Sequence, residues 1–166
     1  GTEQGTLSAC FVLPLEDSME DIMKTAHDIA MVQKFGGGTG FALSKLRPKG
    51  DTIKTTHGIA CGPIAVLKTL SQVSSMITQG GKRDGANMAV MAMSHPDIEE
   101  FIRAKRNDNV LNNFNISVGV TDQFMECVQQ GKIYSLKFNG QTYRAINARA
   151  LWDEIMRNNW EWAEPG

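Results

Sequence analysis

Gln79-Gly80-Gly81-Lys82-Arg83-Asp84-Gly85-Ala86-Asn87-Met88-Ala89-Val90-Met91-Ala92-Met93 passes from a glycine-studded polar loop straight into an apolar run. The run, residues 86–93, is short, uncharged and almost unbroken, the pattern of a strand covered on both faces of a parallel sheet. Upstream of the loop, Ile64, Leu67, Leu70, Val73, Met76 and Ile77 recur at helical spacing behind Pro63, a residue suited to a first helical turn. The spacing predicts a helix from 63 that stops at Gly80. A strand–loop–helix–loop–strand reading then extends outward in both directions.

Towards the amino end, 7–15 reads as a strand and Ser18 with Asp21 approximates a capping box. Met19, Ile22, Met23, Ala26, Ile29 and Ala30 form one predicted apolar stripe on a helix that Gly36 ends. Residues 41–46 read as a second strand, 47–51 as a turn and 52–62 as a loop. Towards the carboxyl end, His95-Pro96 opens a short helix through 105, 114–120 is a strand, and 122–130 a helix. Asn139-Gly140 between 133–138 and 141–146 is a strong hairpin signal, and Asn147 caps a last helix over 148–162. Strands alternating with helices predict an α/β fold, a single domain over 1–166 with a largely parallel sheet covered on two sides.

Composition narrows function by exclusion. The 166 residues carry 17 Lys and Arg against 18 Asp and Glu, so there is no basic excess of the kind a broad nucleic-acid-binding face needs. No apolar run approaches the roughly 18 residues of a membrane span, and no secretory signal pattern is present; the expected compartment is the cytoplasm. The three cysteines, Cys10, Cys61 and Cys127, are odd in number and widely spaced, which is neither a disulfide scaffold nor a zinc pattern.

Several residues invite chemistry, each with a plainer alternative. Cys10 is either a small hydrophobe in a buried strand or a redox thiol at a site. Gly36-Gly37-Gly38-Thr39-Gly40 follows a helix and precedes a strand, so it is not a dinucleotide fingerprint, and no phosphate-loop Gly-Lys-Ser occurs. Asp17 could simply cap a helix. His27 and His57 read as surface residues, His95 as a helix cap and Cys127 as packing. No metal set is expected.

Taken in order, Leu7-Ser8-Ala9-Cys10-Phe11, Lys34-Phe35-Gly36-Gly37-Gly38-Thr39-Gly40-Phe41, Leu46-Arg47-Pro48-Lys49-Gly50, Gln79-Gly80-Gly81, Gly85-Ala86-Asn87-Met88, His95-Pro96-Asp97 and Asn113-Phe114-Asn115-Ile116-Ser117-Val118 form a specific set. The chain resembles the catalytic subunit of ribonucleotide reductase, in its adenosylcobalamin-dependent class, across nearly its whole length. The forms of the glycine run and of Gly-Ala-Asn-Met favour that class over the metal-radical class.

The resemblance implies part, about half, of a ten-stranded α/β barrel. It also implies an oxidoreductase that reduces ribonucleotides to deoxyribonucleotides by a thiyl radical, with adenosylcobalamin as cofactor. Cys10 matches one of the two cysteines that supply electrons, and Ser8, Ala9 and Gly38 the neighbouring substrate-side positions. Asp17, Lys34, Arg47, Lys54 and Arg83 match positions implied for a deoxynucleoside triphosphate effector, with 52–62 and 80–88 as its two specificity loops. A thioredoxin-like reductant and a homodimer built on helices 18–34 and 63–79 are implied as well. The family's Asn-Pro-Cys-Gly-Glu motif, which holds the radical cysteine, does not occur here, so the isolated chain is expected to show no turnover. Asp84 and Cys61 depart from the family pattern, the former placing a carboxylate beside Arg83. The alternatives are a metal-radical reductase subunit and a non-catalytic nucleotide-binding regulatory module.

Overall fold

The computed structural model describes residues 7–79, 83–106 and 111–166. Four parallel strands form the central sheet: β1 (Cys10–Val12), β2 (Gly38–Ala42), then β5 (Asn87–Ala92) and β6 (Phe114–Gly119), side by side in that order. Between them run α1 (Met19–Lys34), α2 (Pro63–Ser75) with the short pair β3 (Thr78–Gln79) and β4 (Arg83–Asp84), and α3 (Ile98–Arg103). The strands follow chain order without reversal. With the usual right-handed crossovers, all three connecting helices must therefore fall on one face.

Burial along the strands bears this out and corrects the expected two-sided cover. Thr39, Phe41, Asn87, Ala89, Met91, Phe114 and Ile116 are buried, whereas the alternating residues Cys10, Val12, Ala42, Met88 and Asn115 are exposed. The second face is open, as in a strip of barrel wall whose inner surface is turned towards a lumen. Phe41 and Phe114 meet edge to face across β5, with ring centroids 5.6 Å apart, and pack with Ile29, Leu67, Leu70 and Phe101 of the helices.

Local signals account for most boundaries. Ser18 caps α1 by accepting from the Asp21 amide at 3.1 Å, and Gly36 ends it at φ +88°. Three expectations shift. The strand placed at 41–46 begins at Gly38, because the amides of Gly38 and Thr39 are claimed by the carbonyls of Ala9 and Ala86. The helix from Pro63 stops at Ser75, and Thr78–Gln79 already belongs to β3. On α1, Ala26 and Ile29 are buried but Met19 and Met23 are not, so the apolar stripe divides into a core row and an outward row.

A second layer follows β6: α4 (Asp122–Gln129), the antiparallel hairpin β7 (Ile133–Phe138) and β8 (Gln141–Asn147), and α5 (Ala148–Trp162), capped by Asn147 through the Ala150 amide. Phe124 holds it together, edge to face with Tyr134 at 5.1 Å and beside Trp152. The Lys137 amide donates to the Ser94 carbonyl at 2.7 Å, which ties the hairpin to the carboxyl end of β5. Along the far rim of β6, Gly166 donates to the Ile116 carbonyl and accepts from the Val118 amide, both at 2.9 Å, in a parallel pairing pattern.

Candidate functional site

Two zones of chemistry sit at opposite ends of the parallel strands. At the amino ends, Cys10 pairs in register with Gly38. A Cβ placed on Gly38 would lie 3.9 Å from Cys10 Sγ and 3.5 Å from the Ala86 carbonyl oxygen. The glycine therefore leaves open floor beside the sulfur. Ser8 and Ala9 precede it on the exposed approach, and Cys10 itself is exposed. The packing alternative for Cys10 is thereby set aside: its thiol faces outward on the open side of the sheet. Cys127 is half-buried against the core, as expected, and Cys61 is exposed in the loop before α2.

The second zone lies beyond the carboxyl ends of β1 and β2. There a cleft of about 420 Å³ is lined by Asp17, Arg47, Asp51, Lys54, Asn139 and Tyr143, among others. Asp17 receives two hydrogen bonds from Arg47, one from Nε at 2.8 Å and one from the backbone amide at 3.1 Å. The pair holds a carboxylate and a guanidinium side by side, an acceptor for hydroxyls next to a donor for phosphate oxygens. Lys54 adds a second cation from the 52–62 loop, which is folded back by a bridge between Thr52 and Ile59.

Three of the five residues matched to an effector, Asp17, Arg47 and Lys54, thus share one cleft. Lys34 does not join them. It ends α1 with Nζ 5.7 Å from the Phe35 ring centre, and a helix of 16 residues separates the two ends by about 24 Å. Arg83 falls on β4, but its side chain lies outside the described residues, as do Gly80, Gly81 and Lys82 of the second loop. Whether Asp84 pairs with Arg83 lies outside them too.

The hairpin wall of the cleft has no warning in the local sequence. Tyr143 donates its hydroxyl to Asp51 at 2.6 Å, and that bond is the main cause of a phenol pKa pushed up to about 12. Only the pairing of β8 with β7 could have hinted at it, by carrying Tyr143 past the turn.

His95 is the other surprise. It is buried rather than a simple cap, with Nε2 2.9 Å from the Leu46 carbonyl, Nδ1 accepting from the Asp97 amide at 3.0 Å, and its ring edge to face with Phe138. One imidazole thus fixes the residue before Arg47, the start of α3 and the hairpin.

Burial pulls the His95 pKa below 6.5, against the raising influence of the Leu46 carbonyl and of Asp97 and Asp51. The neutral ring is favoured in the folded protein, so its contribution is complete above the unfolded value and is lost as pH falls through the folded one. Urea midpoints measured downward from about pH 7 are expected to fall, and His95→Gln is expected to flatten part of that slope. An unchanged slope in the variant would remove His95 from the account.

Among the described residues no group of three or more His, Cys, Asp or Glu side chains converges on a metal position, and no helix is long and apolar enough to cross a membrane.

A one-sided strip of parallel strands, with an outward thiol at one end and a charged cleft at the other, has the form of a piece of α/β barrel wall. Consistent with that, residues 8–166 match the barrel domain of ribonucleotide reductase, and the chain belongs to that family. Over 170 residues it is 48% identical to a vitamin B12-dependent ribonucleoside-diphosphate reductase of Thermoplasma acidophilum, covering all of this chain and 22% of that protein. A protein of the same name from Mycobacterium tuberculosis is 41% identical over 169 residues, again all of this chain and 24% of the relative. A ribonucleoside-diphosphate reductase alpha subunit of Bacillus subtilis is 32% identical over 167 residues, 93% of this chain and 15% of the relative. The chain therefore spans about a quarter or less of the length of these relatives.

Proposed function

We propose that the chain is the first part of the barrel of a B12-dependent ribonucleotide reductase, supplying one redox thiol and an effector cleft. The observation that carries this is Cys10 Sγ standing over the floor that Gly38 leaves free, on the open face of the sheet. A thiol so placed can give up hydrogen and electrons to a ribonucleotide. Two thiols become one disulfide, the 2′-hydroxyl leaves as water, and a thioredoxin-like dithiol restores the pair by exchange. The second thiol is the other cysteine of the electron-supplying pair that the family resemblance implies.

The relatives' names imply adenosylcobalamin as cofactor. The charged cleft of Asp17, Arg47, Asp51 and Lys54 is not the broad, largely apolar slot that a corrin ring needs, so the cofactor, which would supply the radical when bound, belongs elsewhere in the full enzyme. The cleft instead suits a deoxynucleoside triphosphate, with Asp17 available to a sugar hydroxyl and Arg47 and Lys54 to phosphates. A homodimer is supported by the exposed apolar residues Met19, Met23 and Met31 on α1 and Phe35 just after it.

Arg47→Ala in the full-length enzyme tests the cleft. Removing a charge-assisted donor and stranding Asp17 is expected to weaken deoxynucleoside triphosphate binding by about tenfold to a hundredfold, read by calorimetry. Unaltered affinity would assign the effector elsewhere.

A further inference from the structure

A chain of buried polar side chains runs behind the sheet from α1 to α2. Gln33 Nε2 donates to Asn87 Oδ1 at 2.8 Å and to Thr39 Oγ1 at 3.3 Å, and Thr39 Oγ1 donates to the same Asn87 oxygen at 2.7 Å. Asn87 Nδ2 in turn donates to Ser74 Oγ at 2.8 Å and to the Asn113 carbonyl at 3.2 Å. Gln33 and Ser74 are wholly buried, and Thr39 and Asn87 nearly so. Such networks rigidify what they touch when every member is satisfied.

One atom is not satisfied. Gln33 Oε1 is buried without a hydrogen-bond partner, a real cost to folding, and it abuts Gly85. A methyl group added to Gly85 would come within 2.1 Å of Gln33 Oε1 and 2.4 Å of Gln33 Cδ. Gly85 itself is buried and leads directly into Ala86. The Ala86 carbonyl accepts from the Thr39 amide at 3.0 Å and forms, with Cys10 Sγ, the surroundings of the open position over Gly38. The Gln33 amide thus abuts the Gly85–Ala86 peptide, whose carbonyl borders the same open position over Gly38 as the thiol does. Gln33 also stands on the last turn of α1, whose first turn begins next to Asp17 in the cleft.

We propose that Gln33 is a positioning residue of the thiol face. Its amide end sets how closely the Gly85–Ala86 peptide approaches Gly38 and Cys10, and thereby which nucleotide base that face accepts. The inference rests on the reading of Cys10 as a substrate-side thiol.

The test uses the full-length reductase and compares wild type, Gln33→Met, Gly85→Ala and the double variant Gly85→Ala/Gln33→Ala. Competing ribonucleotide substrates are assayed under one fixed deoxynucleoside triphosphate. Gln33→Met keeps the length and removes the amide; it is expected to flatten the kcat/KM ratio between preferred and disfavoured substrates by about tenfold, the order seen for members of one network. Turnover of the preferred substrate is expected to fall less than the ratio does. Gly85→Ala alone is expected to be severely impaired because its methyl has no room beside Gln33. Shortening Gln33 in the double variant makes that room, and most of the lost activity should return.

A wild-type enzyme that reduces no ribonucleotide would sink the functional reading and this inference with it. An active wild type whose selectivity survives Gln33→Met would sink the inference alone. So would a double variant no better than Gly85→Ala, and that comparison holds even where Gln33→Met does not fold.

Discussion

Cys10→Ser is expected to abolish sustained ribonucleotide reduction in the full-length enzyme, lowering turnover by about three orders of magnitude or more. The hydroxyl that replaces the thiol occupies nearly the same space beside Gly38, so nucleotide binding should change little. Serine, however, cannot close a disulfide, and the two electrons consumed in each cycle have no route back to the site. The measurement is product formed per active site with excess dithiol reductant. Multiple turnovers at the wild-type rate would show that Cys10, although exposed, is a bystander.

Phe114→Ala carries the second large effect, this time on folding. Phe114 is 1% exposed and meets Phe41 edge to face at 5.6 Å, so truncation removes an aromatic pair and leaves a cavity between the sheet and its helices. The expected loss is about 3–5 kcal/mol, read as a lowered urea midpoint at constant slope. Val12→Ala provides the contrast, because Val12 is 90% exposed on the open face and should shift stability by only about 0.5 kcal/mol or less. Equal effects of the two substitutions would mean that the covered face has been assigned to the wrong side of the sheet.

Helices and hairpin were legible in the sequence because their signals are local. Ser18, Asn147 and Pro63 mark helix starts through groups within one turn, and Asn139-Gly140 sets its hairpin in two residues. The thiol and three cleft residues were legible only through family resemblance, since Asp17 by itself looks like a cap. Sidedness was not legible: Val12, Met88 and Val90 are as apolar as core residues, and only the unreversed strand order puts them on the open face. The glycine run from 36 to 40 reads as the stretch before a strand at 41–46, yet its last three residues lie in β2, where long-range pairing with Ala9 and Ala86 outweighs poor strand propensity. Tyr143 and Asp51 are 92 positions apart, a partnership no local pattern can announce.

Among the described residues, β1 has only three residues and pairs on one flank, with β2. Few bonds need to break for it to fray, so its opening free energy belongs at the low end for this sheet. If Cys10 exchanges sulfur with a redox protein, as proposed, its thiol is presented on the strand of this sheet with the fewest bonds to break, while the hydrocarbon behind β5 and β6 stays shut.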